Sequence, residues 1–296
     1  MLNIMGNVLE SQVPRSLANC TLLDILDLGK NKISDTFPFW LGKLPTLRVL
    51  VLQSNRFYGS IEHPPTVNEF QMLQIMDLSF NTFTGDLPAE YIGSLMAMMS
   101  DNRTEYGHYI RDDPYYRNSM TIMAKGRQVD FASTISILVE ALDLSNNRFQ
   151  GEIPEVIGDL KSLILLNLSR NHLMGQIPSS IGKMSQLESL DLSHNKLSGR
   201  IPPHLTNLYF LEVLELSQNS LEGPLPPLLG QFSTFSNSSY IGNLGLCKSP
   251  PLSRECRYVA ETMVCGTRIG IFYGGSLIVQ IKKPIKIFHF SYLLHE

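Results

Sequence analysis

The sequence has little charge for its length. Only 17% of its 296 residues are charged, and 24 basic residues against 27 acidic ones leave a formal net charge of -3. This balance excludes a chain held disordered by its own charge and a protein drawn to nucleic acid by its overall charge. Hydrophobic residues make up 43%, which is close to the globular average. We therefore expect a folded protein that does not bind nucleic acid.

Cysteine is also scarce, and recognisable catalytic motifs are missing. The 4 cysteines form no C-x-x-C pair, so neither a disulfide framework nor a zinc or redox motif is indicated. There is no glycine-rich loop or catalytic loop of a kinase. The 7 histidines come without a nucleophile elbow or a third orienting group. The sequence thus predicts no enzyme, no metal and no cofactor.

What the sequence does contain is a repeat with the frame L-x-x-L-x-L-x-x-N. Subtracting the positions of neighbouring asparagines gives steps of 24, 26, 66, 24, 24 and 24 residues. Asn7, which lies 24 residues before the first of them, marks the end of an earlier unit. Glycine and proline follow most of the asparagines by four and seven residues. The asparagines are Asn31, Asn55, Asn81, Asn147, Asn171, Asn195 and Asn219.

Each unit predicts a short strand, a bend and a back segment. Alternation places Leu166 and Leu168 inward, and an inward asparagine is tolerated if it hydrogen-bonds its own turn and the adjacent coil. Glycine suits the bend and proline suits the start of a helical turn. Because both recur in every period, a long amphipathic helix is excluded. Stacked units predict a solenoid with a parallel sheet on its concave face.

The consensus LxxLxxLDLSxNxLxGxIPxxLGxL resembles the plant-specific class of leucine-rich repeats over roughly residues 3–235. This resemblance implies an α/β fold: a curved, right-handed solenoid with a concave parallel sheet and short α or 3-10 back segments.

The step of 66 exceeds one repeat by 42 residues, and the inserted stretch lacks the leucine frame. A long insertion in a compact array is usually functional, and the alternative is an eroded repeat without a role. The stretch YRNSMTIMAKG, residues 116–126, is similar to the end of the non-repeat island in plant receptor-like proteins. We predict five segments: repeats at 1–92, an island at 93–138, four repeats at 139–235, a cap at 236–260 and a tail at 261–296.

The sequence also predicts features of the two ends of the array. The stretch QFSTFSNSSYIGNLGLCKSPPLSREC resembles the C-terminal cap of this family, which implies a disulfide between Cys247 and Cys256. Cys20 is expected to fill the core as a small buried thiol, and Cys265 has no predicted role. Without an N-terminal cap, the coil at 8–26 is expected to expose leucines and an unpaired strand edge, and to make the expressed chain poorly soluble.

Outward strand positions and island residues are the predicted partner-binding sites. Four of them, at one position in successive strands, predict a mostly acidic row that is too linear for a calcium cage. N-x-S/T sequons, which support secretion only weakly, lie at Asn19, Asn102, Asn167 and Asn237. The concave candidates are Asp143, Ser145, Asn167, Asp191, Ser193 and Glu215, and the island candidates are Lys125 and Arg127.

The membrane signals are mixed. The first residues, MLNIMGNVLESQVPR, lack the pattern of a secretory signal. Residues 264–281 are 18 residues with one charge, followed by KKPIK, whereas a spanning helix takes about 20 apolar residues. Glycines at 266, 270 and 274 are spaced for close helix packing. Two interpretations stay open: a single-pass anchor that places the repeats outside the plasma membrane, or a tail that does not span, in a secreted or mis-targeted chain.

The resemblance implies a non-catalytic, glycosylated ectodomain of a plant receptor-like protein. Such a protein binds a peptide or a pathogen-derived ligand and acts through co-receptor and adaptor receptor kinases, in defence or developmental signalling. One alternative is a secreted inhibitor or decoy of the polygalacturonase-inhibitor type, which the 42-residue insertion disfavours because those proteins lack an island. The other is a truncated, non-functional gene product.

Overall fold

The computed structural model describes residues 1–61, 69–99, 140–227 and 230–248, together with three short stretches at 121–124, 127–130 and 257–258. All of them belong to one compact unit, Met1–Glu261, and the second unit, Thr262–Glu296, lies outside the described residues. The strands, in chain order, are β1 (Leu2–Asn3), β2 (Ile25–Asp27), β3 (Val49–Val51), β4 (Tyr58–Ser60), β5 (Ile75–Asp77), β6 (Thr82–Thr84), β7 (Thr121–Ala124), β8 (Arg127–Asp130), β9 (Ala141–Asp143), β10 (Leu165–Asn167), β11 (Met174–Gln176), β12 (Ser189–Asp191), β13 (Lys196–Gly199), β14 (Val213–Glu215), β15 (Ser220–Pro224), β16 (Gly245–Lys248) and β17 (Arg257–Tyr258).

One strand from each coil joins an eight-stranded parallel sheet. Its order is β1, β2, β3, β5, β9, β10, β12 and β14. Neighbouring strands are in register over one repeat, so that Leu166 lies opposite Leu142 on one side and Leu190 on the other. All three leucines are buried in one continuous core. The predicted solenoid with its parallel sheet is confirmed.

Further strands form after the turn. β4 pairs with β6, and β11, β13, β15, β16 and β17 form a five-stranded sheet. The back of the array is made of short helical turns, and a proline directly precedes six of them. The turns are the α-helices α1 (Ala89–Ile92) and α2 (Met96–Met99) and the 3-10 helices Arg15–Asn19, Phe39–Lys43, Glu155–Asp159, Ser179–Lys183, Pro203–Asn207, Gly230–Ser233 and Asn237–Tyr240.

The repeated asparagines link neighbouring coils through hydrogen bonds. Asn171 Nδ2 donates to the carbonyls of Leu168 (3.1 Å) and Ser169 (3.2 Å) in its own turn and of Leu144 (3.0 Å) in the preceding coil. Its Oδ1 accepts the backbone N–H of Phe149 at 3.0 Å. Every polar atom of the side chain is thus used, which is what allows it to be buried. The other six asparagines of the repeat bond in the same way.

The turns have a fixed backbone pattern. The residue before each repeated asparagine has a positive φ between 52° and 56°, although none of these residues is glycine. The glycine four residues after the asparagine also has a positive φ, for example 70° at Gly151 and 77° at Gly175, which confirms the predicted bend. Phenylalanines two residues after the asparagine stack between coils, with Phe83 lying 5.9 Å from Phe57 and 6.1 Å from Phe149 between ring centroids.

The insertion leaves the array without a break. β5 pairs directly with β9, although 66 residues separate their equivalent positions. Before the insertion, α2 extends the repeat packing past residue 92, because the side chain of Met98 is buried in the core and its carbonyl accepts the N–H of Ser162 at 3.0 Å. Within the island, β7 and β8 pair as an antiparallel hairpin. The two described coils that flank the insertion therefore stack directly on each other.

The predicted cap continues the repeat for one more step. Asn243, which lies 24 residues after Asn219, donates to the carbonyls of Leu216 (2.9 Å) and Tyr240 (3.0 Å) and accepts the N–H of Leu221 (3.0 Å). Cys247 forms a disulfide. Its partner lies outside the described residues, so pairing with Cys256 stays a prediction.

Two expectations about the first coils were wrong. Cys20 is exposed and free rather than buried, because the described chain places no coil on its outer side. The edge of β2 is not unpaired, since β1 pairs with it through Leu26 and Asp27. Leucines are exposed only in part: Leu22 is 87% exposed, whereas Leu26 is fully buried.

Candidate functional site

The predicted acidic row exists and is longer than the sequence indicated. Asp143, Asn167, Asp191 and Glu215 lie side by side on four adjacent strands. The same position continues on the other side through Asp77, Val51, Asp27 and Asn3. We call these eight residues the acidic row. It contains five carboxylates and no basic residue.

Local chain geometry explains why these side chains recur. The Oδ1 atom of Asp143 accepts the backbone N–H of Ser145 at 2.9 Å, and Asn167 does the same for Ser169 at 3.1 Å. Asp191 makes the equivalent bond to Ser193 at 2.9 Å. This is the Asx turn that Asp and Asn favour at a bend. The D-x-S and N-x-S patterns of the sequence therefore have a structural role at the ends of β9, β10 and β12.

Burial divides the predicted binding residues into two groups. Asp143, Ser145 and Ser193 are only 1%, 2% and 7% exposed. Asn167, Asp191 and Glu215 are half-buried and lie on the last three strands of the sheet. Of the predicted concave residues, these three are the ones that present accessible polar surface. We call them the accessible row.

The buried part of the acidic row carries strongly shifted carboxyl groups. Burial, together with the charge of Asp77, raises the pKa of Asp143 from 3.8 to about 8. Burial also raises the pKa of Asp77 to about 6, against the bonds from the N–H and hydroxyl of Ser79. The pKa of Asp27 and that of Glu215 are raised by burial as well. Two adjacent buried carboxylates cannot both ionise without cost, so this part of the row favours one retained proton.

We expect Asp143→Asn to stabilise the protein at alkaline pH. The folded state holds the Asp143 proton more tightly than the unfolded chain does, so the free energy of unfolding falls as pH rises from 3.8 towards about 8. Asparagine keeps the acceptor for Ser145, as Asn167 shows, and removes the charge. Its amide nitrogen cannot accept the bond that Asn167 Nδ2 donates to Asp143 Oδ2 at 3.2 Å, so the net gain is smaller than removal of the charge alone would give. Thermal melts should show the variant more stable than wild type by about 1 kcal/mol at pH 9, with little difference at pH 5.

Asp191→Asn is the matched control for this prediction. Asp191 makes the same turn bond but is half-buried, so the same replacement there should give a smaller gain in stability at pH 9 than Asp143→Asn does. An unchanged pH profile in the Asp143 variant would contradict the retained proton.

The remaining predicted sites are distributed as follows. Asn19 and Asn237 are exposed sequon asparagines, whereas Asn167 is half-buried and its Nδ2 donates to Asp143 Oδ2 at 3.2 Å. Asn102 and Lys125 lie outside the described residues, and Arg127 begins β8. Among the residues that the structure describes, no cluster of three or more His, Cys, Asp and Glu side chains could hold a metal ion.

Known proteins match this arrangement. A family model described as "Leucine rich repeat" matches residues 138–197, and a second of the same description matches residues 210–232. These residues are leucine-rich repeats, and the chain has the leucine-rich-repeat fold. Receptor-like protein 35 of Arabidopsis thaliana is 44% identical to it over 167 residues, which are 55% of this chain and 17% of that protein. The predicted resemblance to plant receptor-like proteins is confirmed, and the chain corresponds to a minor part of that relative's length.

Solved leucine-rich-repeat structures support the same fold. The crystal structure of PEPR1-AtPEP1 has a TM-score of 0.59 at 28% identity, covering 79% of this chain and 27% of that chain. The Arabidopsis receptor kinase HAESA, in complex with the peptide hormone IDA and the co-receptor SERK1, has a TM-score of 0.55 at 32% identity, covering 84% of this chain and 37% of that chain. In the described part of this leucine-rich-repeat chain, no helix has the length and apolar character needed to cross a membrane.

Proposed function

We propose that this leucine-rich-repeat chain is a non-catalytic, ligand-binding part of a receptor-like protein ectodomain. Its ligand is a peptide or a pathogen-derived molecule, and it acts outside the plasma membrane through a co-receptor and an adaptor receptor kinase in defence or developmental signalling. The predicted anchor at 264–281 and the predicted glycans belong to this proposal.

The observation that carries the proposal is a regular polar surface beside an island. The accessible row lies on adjacent strands in register, so its side chains are held at the strand spacing of about 4.8 Å. Buried leucines on the same strands, such as Leu190 and Leu214, fix the backbone beneath them. A rigid polar surface of this kind costs little ordering entropy when it binds a partner. Its nearest interruption is the insertion between β5 and β9.

The solved HAESA structure, which contains a peptide hormone and SERK1, supports the choice of partners. The four repeats after the island are the part that we assign to the co-receptor. Asp191 and Glu215 are its best candidates, because both are acidic and accessible on strands β12 and β14. Charges at such positions set association rate and orientation as well as affinity.

We expect charge reversal in the accessible row to weaken co-receptor binding. The double variant Asp191→Lys/Glu215→Lys should reduce the affinity of the full chain for a SERK1 ectodomain by about tenfold or more, measured by biolayer interferometry. Leu190 and Leu214, which hold the backbone of this surface, are unchanged in the variant.

A double variant on the far side of the same array is the control. Glu155 and Asp159 are exposed at the two ends of one 3-10 helix, and Glu155→Lys/Asp159→Lys makes the same change in net charge. If both double variants bind equally well, the accessible row is not the co-receptor surface. If both lose binding, the loss reflects net charge alone and the assignment also fails.

A further inference from the structure

Positive charge is concentrated on one edge of the solenoid, next to the turn that ends each strand. The positions directly before and after each repeated asparagine form two parallel rows, which we call the basic edge. From the second coil to the eighth they contain six lysines and arginines, two histidines and no acidic residue, in a chain whose net charge is -3. These are Lys30, Lys32, Arg56, Arg148, Arg170, His172, His194 and Lys196.

Backbone hydrogen bonds hold both rows at a constant spacing. In the first row, the N–H groups of Arg170 and His194 donate to carbonyls of the following coil, each at 2.9 Å. In the second row, the N–H groups of Arg148, His172 and Lys196 donate to carbonyls of the preceding coil at 2.7–2.8 Å. Each coil therefore advances the edge by about 4.8 Å, the separation of neighbouring parallel strands.

The densest part of the edge spans three adjacent coils. Arg148, Arg170, His172, His194 and Lys196 are all exposed there, within about 10 Å along the stack. Among the described residues, neither the two arginines nor Lys196 has a carboxylate partner within ion-pair distance, in contrast to Lys32, which pairs with Glu10 at 3.1 Å. Unpaired cations repeated along a line attract a partner whose negative charges are also repeated along a line.

The spacing distinguishes two kinds of linear polyanion. In an extended peptide, successive side chains lie about 3.3 Å apart on alternate faces, and those on the same face lie about 6.6 Å apart. Neither distance matches the coil step of about 4.8 Å. A polysaccharide with one carboxylate on every sugar ring places its charges about one ring length apart, which is comparable to the coil step. The observed regularity therefore favours an acidic polysaccharide over an acidic peptide.

We propose that the basic edge binds a linear polyuronate, with Arg148, Arg170 and Lys196 as its principal contacts and His172 and His194 beside them. This surface is separate from the accessible row to which the proposed function assigns the co-receptor. Binding is by reversible ion pairing, so it weakens with added salt.

The test compares an oligogalacturonide with its fully methyl-esterified form, which has the same sugar backbone without the charge. The full chain should bind only the charged form in isothermal titration calorimetry. Arg148→Gln/Arg170→Gln/Lys196→Gln should weaken this binding by about tenfold. It should also lower the slope of log affinity against log salt by about two to three, because about three ion contacts are lost.

A matched triple variant removes the same charge from the back of the array. Lys43, Lys161 and Lys183 are exposed at or beside the ends of 3-10 helices, and their change to glutamine should leave binding unaltered. Equal loss in both triple variants, or equal binding of the esterified polymer, overturns the proposal. Binding of polyglutamate in place of the oligogalacturonide also overturns it, since the edge would then recognise an acidic peptide. Wild-type circular dichroism is required of each variant.

Discussion

Asn147→Ala is expected to destabilise the protein by about 3 kcal/mol or more. The Nδ2 atom of Asn147 donates to the carbonyls of Leu78, Leu144 and Ser145 at 3.0–3.2 Å, and its Oδ1 accepts the N–H of Phe83 at 3.1 Å. Truncation leaves buried backbone groups without these partners, and each such group costs about 1–3 kcal/mol. Urea unfolding followed by far-ultraviolet circular dichroism measures the change.

Two further variants separate hydrogen-bond loss from other effects. Asn147→Asp keeps the acceptor for Phe83 but donates nothing, so it should be about as destabilising as alanine. Asn7→Ala removes the equivalent side chain from the first coil, where it is exposed and bonds only Ile4 and Met5. Water can replace those bonds, so the expected change is within about 0.5 kcal/mol. A mild effect at Asn147, similar to that at Asn7, would show that the asparagines do not hold the coils together.

The hydrogen bonds of Asn147 connect the two coils that flank the insertion. Its bonds to Leu78 and Phe83 cross from the coil of β9 to that of β5, and they join residues 69 and 64 positions apart. These bonds close the array across the point where the island leaves it. Their loss should therefore weaken the junction that positions the island, even though no island residue is changed.

The repeat frame predicted the fold because the same spacing of leucine and asparagine recurs in successive units. Leucine spacing gave the inward side of each strand, and the asparagine steps gave the register across the insertion. Asn243 was missed as a repeat position, although its 24-residue step from Asn219 was readable, because the leucine frame is absent before it. The signal was the spacing alone.

The exposure of a side chain was harder to predict than the face of the sheet on which it lies. Asp143 and Ser145 lie where the frame puts them, yet they are nearly inaccessible. Alternation tells which face a side chain lies on and nothing about how much solvent remains there. The D-x-S pattern could have been recognised as an Asx turn, which would have given Asp143 a structural role. The prediction that Cys20 is buried was wrong for a related reason. Cys20 occupies the same helix-end position as the buried residues Leu160 and Met184, but it is not covered by coils on both sides.

Gly158→Ala is expected to be the most disruptive single-methyl change in the back of the array. Gly158 lies in the 3-10 helix Glu155–Asp159 and is buried against the next coil. A Cβ atom at this position would overlap the carbonyl carbon and oxygen of Ser180. Backbone atoms cannot rotate out of the way, so two coils would have to separate, at a cost of about 3 kcal/mol or more.

Gly93→Ala is the control, since Gly93 is exposed, has an ordinary φ of -68°, and its added Cβ would lie 3.3 Å from the nearest atom. Its effect should stay within about 0.5 kcal/mol. In a repeat array each coil contacts only its neighbours, so loss of one interface uncouples the coils on its two sides. Hydrogen exchange in Gly158→Ala should accordingly lose protection first between β9 and β10, whose coils contain Gly158 and Ser180. Uniform loss across all strands would instead mean that the array unfolds as one unit and that this contact has no local role.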